Sequence, residues 1–160
     1  MVVLYLFTAM IELPEQTLWD IRAFVYHHFG DTIHAPSLDE TAVRFALTRD
    51  EAASAYDALH HRHAFFLKPG THEILIANPF SNIDTTFRVH ANGKTYFANC
   101  AWDSLGIPAA LHVDADVEAV CSQSGEPVTL QIRDGQVSGS DVRIHFLVPF
   151  KHWYDDLVFT

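Results

Sequence analysis

Apolar residues recur at helical spacing early in the chain and switch to strand-like alternation in its second half. Leu18, Ile21, Val25 and Phe29 fall on one face of a helix that opens at Pro14-Glu15 and can end at Gly30. Ser37-Leu38-Asp39-Glu40 and Thr48-Arg49-Asp50-Glu51 are capping boxes, in which the first and last residues satisfy each other's backbone donors. The first predicts a short helix through about Phe45. The second predicts a helix to about His61, with Ala52, Ala55, Tyr56 and Leu59 as its apolar face. Two capped helices separated by a few residues read as a helix-turn-helix. Ala64-Phe65-Phe66-Leu67 and His72-Glu73-Ile74-Leu75-Ile76 then flank Lys68-Pro69-Gly70-Thr71, a turn whose glycine accepts the positive φ of a type II turn. Three helices followed by a hairpin make a winged-helix module.

Asn78-Pro79-Phe80-Ser81-Asn82 has the chemistry of a connector, so the domain boundary is placed there, giving residues 1–77 and 78–160. Beyond it, Thr86 to His90 and Lys94 to Phe97 surround Ala91-Asn92-Gly93. Asn-Gly between alternating runs is a strong hairpin signal. Ala115 to Cys121 alternates as a strand, and Val128, Leu130 and Ile132 give another. Asp134-Gly135 marks a turn, and Val142, Ile144, Phe146 and Val148 predict a third strand. The expected fold is α+β: an N-terminal winged helix-turn-helix, then a small, mainly antiparallel sheet with a central helix.

Composition narrows the classes. The 160 residues suffice for one sizeable domain or two small ones, and 49% hydrophobic content fits a soluble globular protein. Ten Lys and Arg against 20 Asp and Glu give a formal charge of −10, which argues against a phosphate-binding surface. The second helix of the helix-turn-helix carries Asp50, Glu51 and Asp57 against Arg49 and Arg62, the wrong sign for DNA. The Val2 to Phe7 run is too short to span a bilayer and has no basic flank, so the expected compartment is the cytoplasm. Cys100 and Cys121 make no disulfide framework and are expected as free thiols. His27-His28 and the His60-His61-x-His63 group have no acidic or cysteine partner at metal-ligand spacing and read as solvated helix ends. Asp155-Asp156 reads as a solvated turn.

Candidate chemistry concentrates in Tyr96-Phe97-Ala98-Asn99-Cys100-Ala101-Trp102-Asp103-Ser104-Leu105-Gly106-Ile107-Pro108-Ala109, a strand running into a short helix. Asn99 can cap that helix and place Cys100 at its N-terminus, where the dipole favours an anion. The thiol pKa is then expected to fall from about 8.5 towards the range of reactive cysteines, roughly 3.5–7.5. Asp103, three residues on, shares a helical face with the sulfur. A thiolate beside a carboxyl is a nucleophile or soft-metal ligand beside a proton carrier. The same pattern also fits a buried cysteine acting as a small hydrophobe, with an acid complementing the dipole.

These residues resemble the alkylmercury lyase family. The likeness is carried by Tyr96 to Asp103, Leu105 to Ala109, Cys121 with Gly125-Glu126-Pro127-Val128, and the Trp153 to Thr160 tail. It covers nearly the whole chain, since the winged-helix front half matches the family's layout. The resemblance implies protonolysis of carbon–mercury bonds, releasing a hydrocarbon and Hg(II). Mercury is soft and prefers thiolates, and an acid must then hand the bound carbon a proton. It implies Cys100 as the primary thiolate and Asp103 as the proton shuttle, the two together holding mercury as substrate or product. No organic cofactor is implied, and a small thiol is expected as co-substrate. Cys121 matches a cysteine with a structural role and reads as a buried strand residue. Active members use a second catalytic cysteine near the C-terminal end, at or just after Leu157-Val158-Phe159-Thr160, and none falls there in these residues. The chain is therefore expected as a divergent member without that thiol, or as a sequence cut short of it. Two alternatives stay open: a non-catalytic heavy-metal-binding or regulatory module on the same fold, or another Cys/Asp-dependent reaction. Nucleic acid and membrane are not expected partners. The wing has an open edge on which a second copy can pair, giving a homodimer.

Overall fold

The computed structural model describes residues 13–146 and 148–155. The Val2 to Phe7 run and the tail from Asp156 to Thr160 lie outside the described residues. Helix α1, Glu15–Thr32, buries Leu18, Ile21, Val25 and Phe29, the stripe their spacing predicts. It does not stop at Gly30. The stop comes at Ile33, which takes a left-handed φ of 66° and donates its N–H to Phe29 O at 2.8 Å. Gly30 serves packing instead, because a Cβ there would meet Leu111 Cδ2 at 3.2 Å. Both capping boxes form, at Ser37/Glu40 for α2, Leu38–Phe45, and at Thr48/Glu51 for α3, Arg49–His61. The predicted apolar face of α3 is buried. Strands β1, Phe66–Leu67, and β2, Ile74–Ala77, pair around the Lys68 to Thr71 turn, where Gly70 has φ 73°.

The connector at Asn78-Pro79 leads directly into a short strand, β3, Phe80–Ser81, that pairs with β2. β4, Arg88–Ala91, and β5, Lys94–Ala98, form the predicted hairpin, with positive φ at both Asn92 and Gly93 as a two-residue primed turn requires. β5 pairs β3 on one side and β4 on the other. Helix α4, Ala101–Leu111, follows and lies against β4, β5 and β6. β6, Ala115–Val120, and β7, Pro127–Arg133, stand where alternation predicts.

Among the described residues the strand predicted over Val142 to Val148 does not form, and residues 141–146 carry no ladder. Asp134-Gly135, both at positive φ, returns the chain at once onto β7, so Gln136–Gly139 becomes β8 with Arg133 opposite Gln136. Among the described residues the result is one antiparallel sheet of eight strands in the order β1-β2-β3-β5-β4-β6-β7-β8. Its core joins early and late residues. Phe29 stacks on Phe80 at 5.3 Å between centroids, Phe80 meets Tyr96, and the Tyr96 hydroxyl donates to Gly30 O at 2.7 Å. No helix among the described residues is long and apolar enough to cross a membrane.

Candidate functional site

β5 hands the chain to α4 through Asn99, and Cys100 itself is the N-cap of the helix. The expectation that Asn99 caps this helix is corrected by that placement. Cys100 is extended, with φ −146° and ψ 178°, and its carbonyl accepts the Ser104 N–H at 3.1 Å. Asp103 is then the third helical residue, whose side chain turns back towards the cap. The Cys100 thiol donates to Asp103 Oδ2 at 3.2 Å. Cys100 and Asp103 are thus brought together as their spacing predicts, and both are half-buried.

The electrostatics differ from the expectation. The Cys100 thiol is pushed up to about 11, not down, first by burial and then by the Asp103 charge. Backbone N–H groups of Asp103 and Trp102 favour the thiolate but are outweighed. A helix N-terminus supplies partial charges of about half a unit, whereas desolvation acts on the whole thiolate charge. Asp103 is also raised, by burial, with the Cys100 thiol and backbone N–H acting in the opposite direction. The pair therefore holds a proton between sulfur and carboxyl.

Cys121 lies just past β6, half exposed and not within a strand, which corrects its reading as a buried strand residue. Its N–H donates to Glu126 O, and its carbonyl accepts the Gly125 N–H. Hydrogen bonds from the Ser124 hydroxyl and the N–H groups of Ser124 and Gln123 draw its thiol pKa down. Both cysteines are free. Asp155 pairs with His152 in the C-terminal turn.

Two neighbours escape sequence reasoning. Tyr26, on α1, donates to Ala64 O at 2.9 Å with the Arg22 guanidinium 4.4 Å above its ring. Burial raises its phenol, and the Asp103 charge adds to the rise, which brings α1 within electrostatic reach of the site. Tyr26 lies off the apolar stripe, and an Arg four residues before a Tyr is its sole sequence signal. Thr85 bonds the end of β5, and a Thr directly before the start of an alternating run is a faint turn signal. Two clefts of about 430 and 420 Å³ open around the Asn92-Gly93 turn and beside the Asp134-Gly135 turn, and neither is lined by Cys100 or Asp103.

Among comparisons, no protein of curated function matches the chain. The mercury-bound form of MerB2, a solved crystal structure, superposes with a TM-score of 0.66 at 24% identity over 82% of this chain, which shows a shared fold. The match spans 63% of that relative's length. The family model for alkylmercury lyase matches residues 80–159, half of the chain, from β3 through α4 and the Cys100/Asp103 pair to the tail. This chain belongs to the alkylmercury lyase family.

Proposed function

We propose that the protein cleaves carbon–mercury bonds by protonolysis, with Cys100 as the mercury-binding sulfur and Asp103 as the proton carrier. The observation that carries this is the 3.2 Å contact between Cys100 Sγ and Asp103 Oδ2 in a half-buried site that keeps the thiol protonated. An organomercurial R–Hg–X supplies the electrophile that a neutral thiol lacks. As the sulfur takes mercury, X leaves and the thiol proton passes to Asp103. The protonated Asp103 then delivers that proton to carbon, and the C–Hg electron pair forms the new C–H bond. The hydrocarbon departs, and Hg(II) stays on the Cys100 sulfur with the Asp103 carboxylate beside it. Small thiols then carry Hg(II) away and leave Cys100 to regain a proton, which suits the reducing cytoplasm. General acid catalysis of this kind is worth about 10²–10⁴ in rate.

The same reading gives Cys100 the first contact with mercury and has a small thiol supply a further sulfur. It treats residues 1–77 as a winged helix with a structural role, and residues 78–160 as the reacting half. This is a division of labour, since β3 joins the two halves into one sheet. The acidic first half supports a role in packing or in pairing with a second copy over a role on DNA.

The test is single-turnover release of benzene from phenylmercury with excess small thiol, on wild type and Cys100→Ser. Benzene that depends on Cys100 is expected. Mercury held at Cys100 with no benzene identifies a soft-metal binder on this fold, and equal turnover by the two proteins ends both readings.

A further inference from the structure

We infer that Thr85 is a positioning residue for Cys100, clamping the end of β5 so that the thiol meets Asp103. The inference rests on the reading of Cys100 and Asp103 as the reacting pair. The regular β4–β5 ladder closes with Arg88 opposite Phe97, and one further backbone bond follows, from Ala98 N–H to Phe87 O at 3.0 Å. The next rung needs a donor for Ala98 O, and the backbone of β4 has already turned away at Thr85 to Phe87. The Thr85 hydroxyl takes that place. It donates to Ala98 O at 2.7 Å and accepts the Phe87 N–H at 3.2 Å. A hydroxyl has one hydrogen, and the 3.3 Å approach to Phe87 O is the longer alternative that the same hydrogen forgoes.

Both backbone polar groups of Ala98 are therefore held on the β4 side. Asn99 alone stands between this clamp and the sulfur-bearing residue. From Cys100 onward the path is set by the Cys100 O to Ser104 N–H bond and by Ser104 Oγ donating to Ala101 O at 2.7 Å. The extended Cys100 is thus the short span between a clamped strand end and a clamped helix start. Thr85 is half-buried, so an unmet Ala98 carbonyl there is poorly compensated by water.

The experiment uses the full chain with Thr85→Val, which keeps shape but loses the hydroxyl, and Thr85→Ser, which restores it. Thr85→Ala carries the test if Thr85→Val does not fold. Thr85→Val is expected to lower kcat for phenylmercury about tenfold or more, with KM within about twofold, because misplacement of the reacting groups acts on the chemical step. Thr85→Ser is expected to stay within about twofold of wild type. Amide hydrogen exchange at Asp103 and Ser104 is expected to accelerate about tenfold in Thr85→Val, in line with one lost hydrogen bond, while Val89 and Val117 keep their protection. Unchanged kcat in Thr85→Val overturns the inference whether or not exchange changes, and so does a Thr85→Ser protein as impaired as Thr85→Val. If wild type releases no benzene, the lyase reading fails by itself. The difference in exchange between the valine and serine variants then decides whether Thr85 sets the Cys100 turn.

Discussion

At the scale of single residues, the proposed chemistry turns on a proton held between Cys100 and Asp103. Asp103→Asn keeps the sulfur and the helix cap but cannot carry that proton. It is expected to take up phenylmercury stoichiometrically while releasing benzene at least about 100-fold more slowly. Mercury uptake lost together with turnover would show that Asp103 acts in binding instead. The two thiols also differ in sign. Cys100 is raised to about 11 and Cys121 is lowered, so at pH 7.5 iodoacetamide is expected to label Cys121 first. Cys100 labelling should then climb about tenfold per pH unit, because the thiolate fraction does so below its pKa. Peptide mass mapping reads both, and equal labelling at pH 7.5 would contradict the placement. The Cys100/Asp103 contact was legible in the sequence because three residues in a helix's first turn define a face. The direction of the thiol shift was not, because burial depends on what covers the site from outside the local stretch. Tyr26 and Thr85 left only faint signals for the same reason, since their partners Ala64 and Ala98 are distant in sequence.

At the scale of elements, capping boxes and turn residues carried most of the legible signal. Ser37, Thr48, Asn92-Gly93 and Asp134-Gly135 each act through bonds to residues a few positions away, so sequence alone contains both partners. β8 was not legible because Gln136–Gly139 is exposed throughout, and an edge strand of that kind leaves no hydrophobic alternation. The alternation at Val142 to Phe146 misled because Phe146 serves a stack on Trp153, at 4.8 Å between centroids, and not a ladder. The seating of α4 rests on a close approach. A Cβ at Gly106 would lie 3.0 Å from Pro79 Cβ, in a ring that cannot swing aside. Alanine gains up to about 1 kcal/mol of helix propensity over glycine, but overpacking costs about 1–3 kcal/mol. Gly106→Ala is therefore expected to lower the denaturation midpoint despite its better propensity, and a raised midpoint would show that the helix yields without cost.

At the scale of the whole molecule, the two halves share one sheet and one core. Phe29 with Phe80, Tyr96 with Gly30, and Gly30 with Leu111 all cross the connector at Asn78-Pro79. The full chain is expected to unfold in one transition seen alike by tryptophan fluorescence and far-UV circular dichroism. Residues 78–160 made alone are expected to show no protected amides, and a folded fragment would mean that this half builds its own core. This sharing was not legible in the sequence, where Asn-Pro turn chemistry marks a boundary equally well between domains and between paired strands.

β5 is bonded on both sides, by β3 and by β4, and Cys100 follows two residues after its end. A rim loop can melt while the rest of a protein stands, but an interior strand comes apart last. On the proposed lyase reading, working lifetime under heat is set by the survival of the whole sheet, and residual activity and residual fold decay on the same clock.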